Sequence, residues 1–522
     1  QHQSWTRSTA DQAAFTAGAD VRLDLASALP PANTARLTLA AGVTSAMAAS
    51  DDLETEPAPI LAVDSARAVG VVQLRGDESP LPAAQLYAAI APAAGAGGTT
   101  VPGRPADLRL TATVSRAPVS AVTMVATVTD ATGGTFQLHA SGALPADGRP
   151  HQLTVPLGGG FAYPLRIAQL TVTYALPARK NPSPVTLSIA GAAFTGWRAV
   201  VSAPELDSEI PYGTFAAPAL GGFLPAAGGA TVSFRSGFGI TESTNVLGQK
   251  VISPVQGQVT LTAGNLAPPV VPAIATQAFD DANHTAPGQT VTTTVDGLTI
   301  PVRVVAQVYT FPTVAGSSLI VDLTTLQSLL VARGAAPLAV TQWWLATAGH
   351  GVPATLAAQL PSGTSVTSRV AMAAATASDP LSAAPQQALL AVAAAALLAI
   401  TGFLVSIAAN VRQRRAESAL LAALGVAQRS AAIQLFMEKL LLSVPAAALG
   451  LALGTVVAGL LVPAVTLTTT AQLPVPPAVT LLDLPQTVPF AVAVAVLPAL
   501  AAALVVFRRP DPAAELRAAE AA

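Results

Sequence analysis

The chain is 522 residues long, 52% of them hydrophobic and only 10% charged, with a formal net charge of −2. Soluble proteins carry roughly a quarter of their residues charged, so this composition calls for membrane segments, and its near-neutral balance excludes the basic footprint of a nucleic-acid binder. There is no cysteine, which removes disulfides, thiol catalysis and thiolate metal sites together.

Length suggests about three or four units of ordinary domain size. Residues 1–94 read as the first part of a mixed α/β extracytoplasmic domain. Val21 to Leu25 alternates as a strand does, Leu37 to Ala48 reads as a strand leading into a helix, and Ile60 to Val63 is a short buried strand. Asp64 and Ser65 open a turn, with Asp64 a helix N-cap rather than half of a catalytic pair, and Val69 to Leu74 reads as a further strand.

A linker rich in Pro, Gly and Ala, 91–105, leads to the clearest β pattern of the chain. Leu108, Leu110, Ala112 and Val114 alternate with polar residues, and so do Val122 to Val128, Phe136 to Ala140, Leu170 to Tyr174 and Val185 to Ile189. Period-two alternation buries one face and wets the other. Turn signals at Asp130 to Gly134 and at Asp147-Gly148 separate the strands, which predicts an inserted, jelly-roll-like antiparallel β-sandwich over 105–200. Were it to bind sugar, flat aromatic faces would be needed. The aromatic residues on offer are Phe161, Tyr163, Tyr174 and Trp197, and core packing accounts for them more simply.

Residues 201–380 return to the mixed pattern as the second part of the same domain. Leu298 to Val308 and Ser318 to Leu323 read as strands, the latter running into an amphipathic helix through Leu330, and Gln342 to Leu345 as another. Trp343 and Trp344 point to opposite faces of that strand, so one of them is expected at a domain junction or in solvent.

From 386 to 509 the chain reads as a membrane domain of three helices, about 388–410, 438–463 and 487–507, each long enough for a hydrocarbon core about 30 Å thick. Arg412, Arg414, Arg415 and Arg429 lie between the first two, and Arg508 and Arg509 close the third. Basic residues beside spans stay in the cytoplasm. The expected topology is therefore a large N-terminal region outside, the basic link inside, a short loop outside and the tail 510–522 inside. Gly450 and Gly454 form a G-x-x-x-G that lets membrane helices approach closely. Glu438 and Lys439 sit at the inner boundary of the second span and no charge falls deeper within the three, which argues against an ion path.

The basic link reads Arg414-Arg415-Ala416-Glu417-Ser418-Ala419-Leu420-Leu421-Ala422-Ala423-Leu424-Gly425, followed by Gln434-Leu435-Phe436-Met437-Glu438. It resembles the FtsX-like permeases of ABC transporters, which include the MacB-type exporters and lipoprotein-release permeases. Those proteins join two spans by a short basic helix of the form R-R-x-E-x-A-L-L-x-A-L-G. One departure is Ala427, where the family often has a hydroxyl residue that caps the next helix. The resemblance implies that Arg412, Arg414, Arg415, Glu417, Leu420, Leu421, Leu424, Gly425 and Arg429 dock on a separate cytoplasmic ATPase subunit and carry its motion to the membrane helices. Membrane lipid and a second permease copy are the other partners implied. The chain begins at Gln1 with no span before its first domain, so the expectation is the C-terminal portion of a longer permease.

No G-x-x-x-x-G-K-[ST] occurs, so any ATPase is another polypeptide. The five histidines are scattered without metal-ligand spacing, and no G-x-S-x-G elbow is present. The reading is a non-catalytic membrane subunit with no cofactor, in the plasma membrane, that couples ATP hydrolysis elsewhere to movement of its extracytoplasmic region for export or mechanotransmission. The alternatives are a membrane-anchored glycan-binding or signalling protein without an ATPase, and an FtsX-type regulator of a cell-wall hydrolase.

Overall fold

The computed structural model describes residues 2–377 apart from 52–54, 93–97, 132–133, 179–181, 204–210, 245–249, 265–269, 315, 334 and 358–359, then 428–465, with scattered positions between 394 and 409 and between 475 and 500. The chain divides into two compact units, Ala14–Ala371 and a second formed by Gln1–Ala13 with Met372–Ala522.

The first unit is built on a ten-stranded sheet. In spatial order its strands are Ser365–Ser368, Val21–Asp24, Gln342–Thr347, Val43–Ser50, Ile60–Val63, Leu319–Asp322, Val271–Thr276, Leu298–Val308, Thr290–Val295 and Thr55–Glu56. At its centre Ile60–Val63 and Leu319–Asp322 run parallel, Ile60 beside Leu319 and Val63 beside Asp322, and every residue of both is buried. Strands buried on both faces read as continuous apolar runs because neither side meets water. One face carries the helices Ser65–Val71 and Ala83–Ile90, whose Ala68, Val71, Leu86 and Tyr87 pack on Leu61, Val63 and Ile320. On the other, Leu323, Leu326, Leu329 and Leu330 of the helix Leu323–Ala332 pack on Ile60, Ala62 and Val321.

This double cover corrects the expectation for the tryptophans. Trp343 belongs to one core and Trp344 to the other, and they are 5% and 0% exposed. Two further expectations change. Val69 to Val71 close a helix rather than opening a strand, because Asp64 caps it by accepting from the Ala66 N–H and its buried residues Ser65, Ala68 and Val71 recur every third position. The order around Leu37 is also reversed, a helix Pro31–Thr38 preceding the strand Val43–Ser50, with Pro31 at the first helical position where its missing N–H costs nothing.

Two antiparallel sheets occupy the middle of the unit. One orders Ala219–Ala226, Gly229–Arg235, Pro184–Ala190, Asp107–Val114 and Pro150–Pro156. The other orders Trp197–Ser202, Gln256–Ala263, Arg166–Ala175, Ser120–Thr129 and Thr135–His139, with the short Thr99–Thr100 beside Arg166–Ala175. Leu110, Val155, Leu187 and Val232 of the first share one core with Met124, Leu170, Val172 and Leu261 of the second. The strands run on to Ala263, past the predicted limit at 200. Ala219–Ala226, ALGGFLPA, shows no alternation because it is an edge strand exposed along nearly all its length. A third, three-stranded sheet consists of Pro211–Ala216, Phe238–Thr244 and Lys250–Pro254.

The helix Leu323–Ala332 joins the two regions. Its Val331 lies in the core of the antiparallel sheets. The Val331 carbonyl accepts from Gln169 Nε2 at 3.0 Å, and Gln327 Oε1 accepts from the Thr135 hydroxyl at 2.9 Å. Thr127, Gln169 and Thr262, on the face that alternation assigns to water, are therefore buried.

In the second unit the principal described element is the 38-residue helix Gln428–Val465.

Candidate functional site

Within Gln428–Val465, the 22 residues Phe436–Val457 are long and apolar enough to cross a membrane, and this is the one such helix among the described residues. Leu441, Leu449, Leu453 and Val456 are exposed along it, as suits side chains whose solvent is lipid. Pro445 interrupts the backbone ladder, and Thr455 returns its hydroxyl to the Ala452 carbonyl at 2.7 Å, as hydroxyl residues do in membrane helices. Gly450 and Gly454 stand one turn apart, and a Cβ built on either meets nothing within 4 Å. Arg429 lies in the first turn of the helix. Arg412, Arg414, Arg415, Glu417, Leu420, Leu421, Leu424 and Gly425 lie outside the described residues, as do the greater part of the spans predicted over 388–410 and 487–507.

In the first unit, three polar constellations gather around buried carboxylates. The central parallel strands end in Asp64 and Asp322, and the helices that follow turn to opposite faces. Such a switch point is where open α/β sheets hold anionic ligands, at helix N-termini that offer free N–H groups. Here the chain's own carboxylates take that place. Asp322 Oδ2 accepts from the Thr325 N–H at 2.8 Å and its hydroxyl at 2.9 Å, while Oδ1 accepts from the Ser65 hydroxyl at 2.6 Å and its N–H at 3.3 Å. Asp64 caps its own helix and pairs with Arg67. Burial raises the Asp64 pKa, Arg67 opposes the rise and the Asp322 charge adds to it. The two carboxylates thus occupy the place of an anionic ligand with donors from Ser65, Ala66 and Thr325.

The second constellation surrounds Asp20, 3% exposed, where the chain enters the ten-stranded sheet. Its carboxylate accepts from Arg369 Nη2 at 2.8 Å and the Thr347 N–H at 3.0 Å, and lies 3.2 Å from His350 Nδ1. Arg369 is where the chain leaves the sheet, at the start of the helix Arg369–Ala377. Val21 and Ser368 are register partners, so both connections meet at one edge.

The third is Glu78, held by the Arg75 N–H at 2.7 Å and near Tyr87, whose hydroxyl is buried without a hydrogen-bond partner among the described residues. Burial pushes the pKa of both upward, and the Glu78 charge adds to the rise at Tyr87.

Of the aromatic residues singled out for sugar, Tyr174 and Trp197 are core residues, and Phe161 stacks edge-on against Phe136. Tyr163 lies under Arg104 and donates to the Pro105 carbonyl at 3.0 Å. No group of three or more His, Cys, Asp or Glu placed to hold a metal occurs among the described residues. The Asp20 junction escapes sequence reading, because nothing short of the pairing of the edge strands brings Asp20 to Arg369.

Against known proteins, residues 389–510 match the family model described as FtsX-like permease C-terminal. No curated protein matches the chain.

Proposed function

The chain carries an FtsX-like permease C-terminal domain at residues 389–510, and from that premise we propose that it is the permease subunit of an ABC-type complex, coupling a separate ATPase to its extracytoplasmic region. Proteins with this domain are membrane proteins, generally non-catalytic, that typically work with a cytoplasmic ATPase. The single observation that carries the reading is the match itself, which covers the basic segment Arg412 to Arg429 and the membrane helix that follows it. In this reading Arg412, Arg414, Arg415 and Arg429 meet the ATPase through charge. Leu420, Leu421 and Leu424 supply an apolar face that retention by anionic lipid would not require. Three spans, an outside location for residues 1–380 and a MacB-type arrangement with an inserted sandwich belong to the same proposal.

The meeting of both chain connections at one sheet edge supports it mechanically, since a displacement entering along either one reaches the same paired strands. Burial of Tyr174 and Trp197 weighs against the glycan-binding alternative. The test is purification of the full-length protein in mild detergent. An ATPase subunit is expected to accompany it, to be lost when residues 412–427 are deleted, and to lose stimulation in Arg415→Glu while membrane insertion is kept. Absence of any ATPase from the intact protein overturns the proposal.

A further inference from the structure

We propose that Thr341 and Trp343 together form a binding site for one internal water molecule, on the face of the ten-stranded sheet whose core also takes Leu326 and Leu330. The site does not rest on the permease reading.

The two sides of one strand show the contrast. Gln342–Thr347 places Gln342 and Trp344 on one side, where the Trp344 indole N–H donates to Gln342 Oε1 at 3.0 Å and Gln342 Nε2 donates to Asp51 at 2.7 Å. The other side repeats the two-residue step with Thr341 and Trp343. Thr341 continues the strand's pairing, its carbonyl accepting from the Leu25 N–H at 2.8 Å, while Leu23 pairs with Trp343. Leu23 and Leu25 lie in the same core as Trp343, so alternation sets the Thr341 hydroxyl on that side too. The hydroxyl and the Trp343 indole N–H are both buried, and neither has a hydrogen-bond partner among the described residues.

Side-chain reach explains the difference. Glutamine carries its acceptor on Cδ and threonine carries its oxygen on Cβ, two carbon–carbon bonds nearer the backbone. That shortfall of about 2.5 Å is close to the length of about 2.8 Å that one inserted water adds to a hydrogen-bonded path. A water in the gap accepts from the indole, which can only donate, and donates to the hydroxyl oxygen. The residues that face the pair, Leu23 and Ala48 beside Trp343 and Leu25 beside Thr341, have apolar side chains that supply no alternative. Where the fold brings an indole within reach of a threonine the bond is direct, as from Trp197 Nε1 to the Thr99 hydroxyl at 3.0 Å. Two buried polar groups left unpaired cost more than ordering one water that serves both.

The chain has only four tryptophans, so their indole signals can be resolved one by one. The full-length protein in nanodiscs, isotope-labelled at the indole nitrogens, reports a bound water as a magnetic resonance cross peak between an indole proton and water. A cross peak from a long-lived water is expected at Trp343, assigned through Trp343→Phe, and none at Trp344, whose N–H is taken by Gln342. Thr341→Val keeps the shape and removes the oxygen, so it is expected to abolish the cross peak; Thr341→Ser is expected to retain it. No cross peak in the unsubstituted protein, or one that survives Thr341→Val, overturns the proposal. The Trp344 signal shows in each variant that the sheet has formed, and Thr341→Ala is read in the same way should Thr341→Val not fold. The melting midpoint supplies an independent sign. It falls in Thr341→Val if the hydroxyl holds the water, and a rise, as expected on removing a buried hydroxyl with no partner at all, overturns the proposal.

Discussion

The ten-stranded sheet and the two antiparallel sheets draw on the same small apolar residues, yet the first is covered on both faces at its centre and the others share a single core. That difference decides where polar groups go. In the antiparallel region they alternate along each strand, as in Asp107–Val114, and those outside the core meet water or the helix Leu323–Ala332. At the centre of the ten-stranded sheet, where Ile60–Val63 and Leu319–Asp322 are buried throughout, no such face exists, so polar side chains collect at strand ends, and Asp64 and Asp322 are buried there with donors arranged around them. A sheet covered on both faces has its polar chemistry at its rims.

The largest expected effect tests whether the two regions are held by separate cores. Trp344→Ala removes a fully buried ring and is expected to cost about 3 to 5 kcal/mol in denaturant unfolding. Amide exchange should rise in the ten-stranded sheet and not in Arg166–Ala175; equal loosening of both would mean one shared core. Asp322→Ala comes next, at about 2 to 3 kcal/mol, because it removes a helix cap and leaves the Ser65 hydroxyl buried without its acceptor. Helix Leu323–Ala332 is expected to lose exchange protection first. Gln169→Ala and Gln327→Ala, each about 1 kcal/mol, sharpen the comparison at the seam. Limited proteolysis should then release the antiparallel region, and an unchanged digest would move the fastening elsewhere.

The smallest effect is in pH, and its sign differs between the regions. Burial raises the Glu78 pKa, so its contribution is present below the ordinary carboxylate range and is lost as pH rises through the folded value. Glu78→Gln is expected to raise the melting midpoint at neutral pH and to match the unsubstituted protein in acid. At Asp147, the Arg149 N–H and then His151 lower the pKa, so its contribution is present above the ordinary range and is lost as pH falls through the folded value. Asp147→Asn should therefore lower the midpoint near neutrality, with the gap closing in strong acid. Melting curves taken across pH separate the two.

Much of this was legible beforehand. Alternation at Leu108 to Val114 and at Leu170 to Tyr174 identifies half-covered strands directly, and Asp64 and Asp322 announce helix starts. Misreadings arise where local preference and tertiary cover disagree. The valines at 69, 71 and 72 suggest a strand, but the cap at Asp64 and the three-residue burial spacing make the first two helical. Trp343 and Trp344 look like one inside and one outside, because sequence shows that they diverge but not that both faces are covered. The FtsX-like segment was legible as a motif, whereas the Asp20 joint is made by residues from opposite ends of the domain.

The bond from Ser65 to Asp322 also sets an order of events during synthesis. Ile60–Val63 emerges early, but its parallel neighbour Leu319–Asp322 follows only after the whole antiparallel region, and Val21–Asp24 must wait for Gln342–Thr347 and Ser365–Ser368. The antiparallel strands find most of their partners sooner along the chain, so they can close while the first strands of the larger sheet still have open edges. Unpaired strand edges invite association with other chains. The architecture that brings both connections to one edge thus leaves the larger sheet incomplete, and its first strands open at their edges, until the chain has passed Ser368.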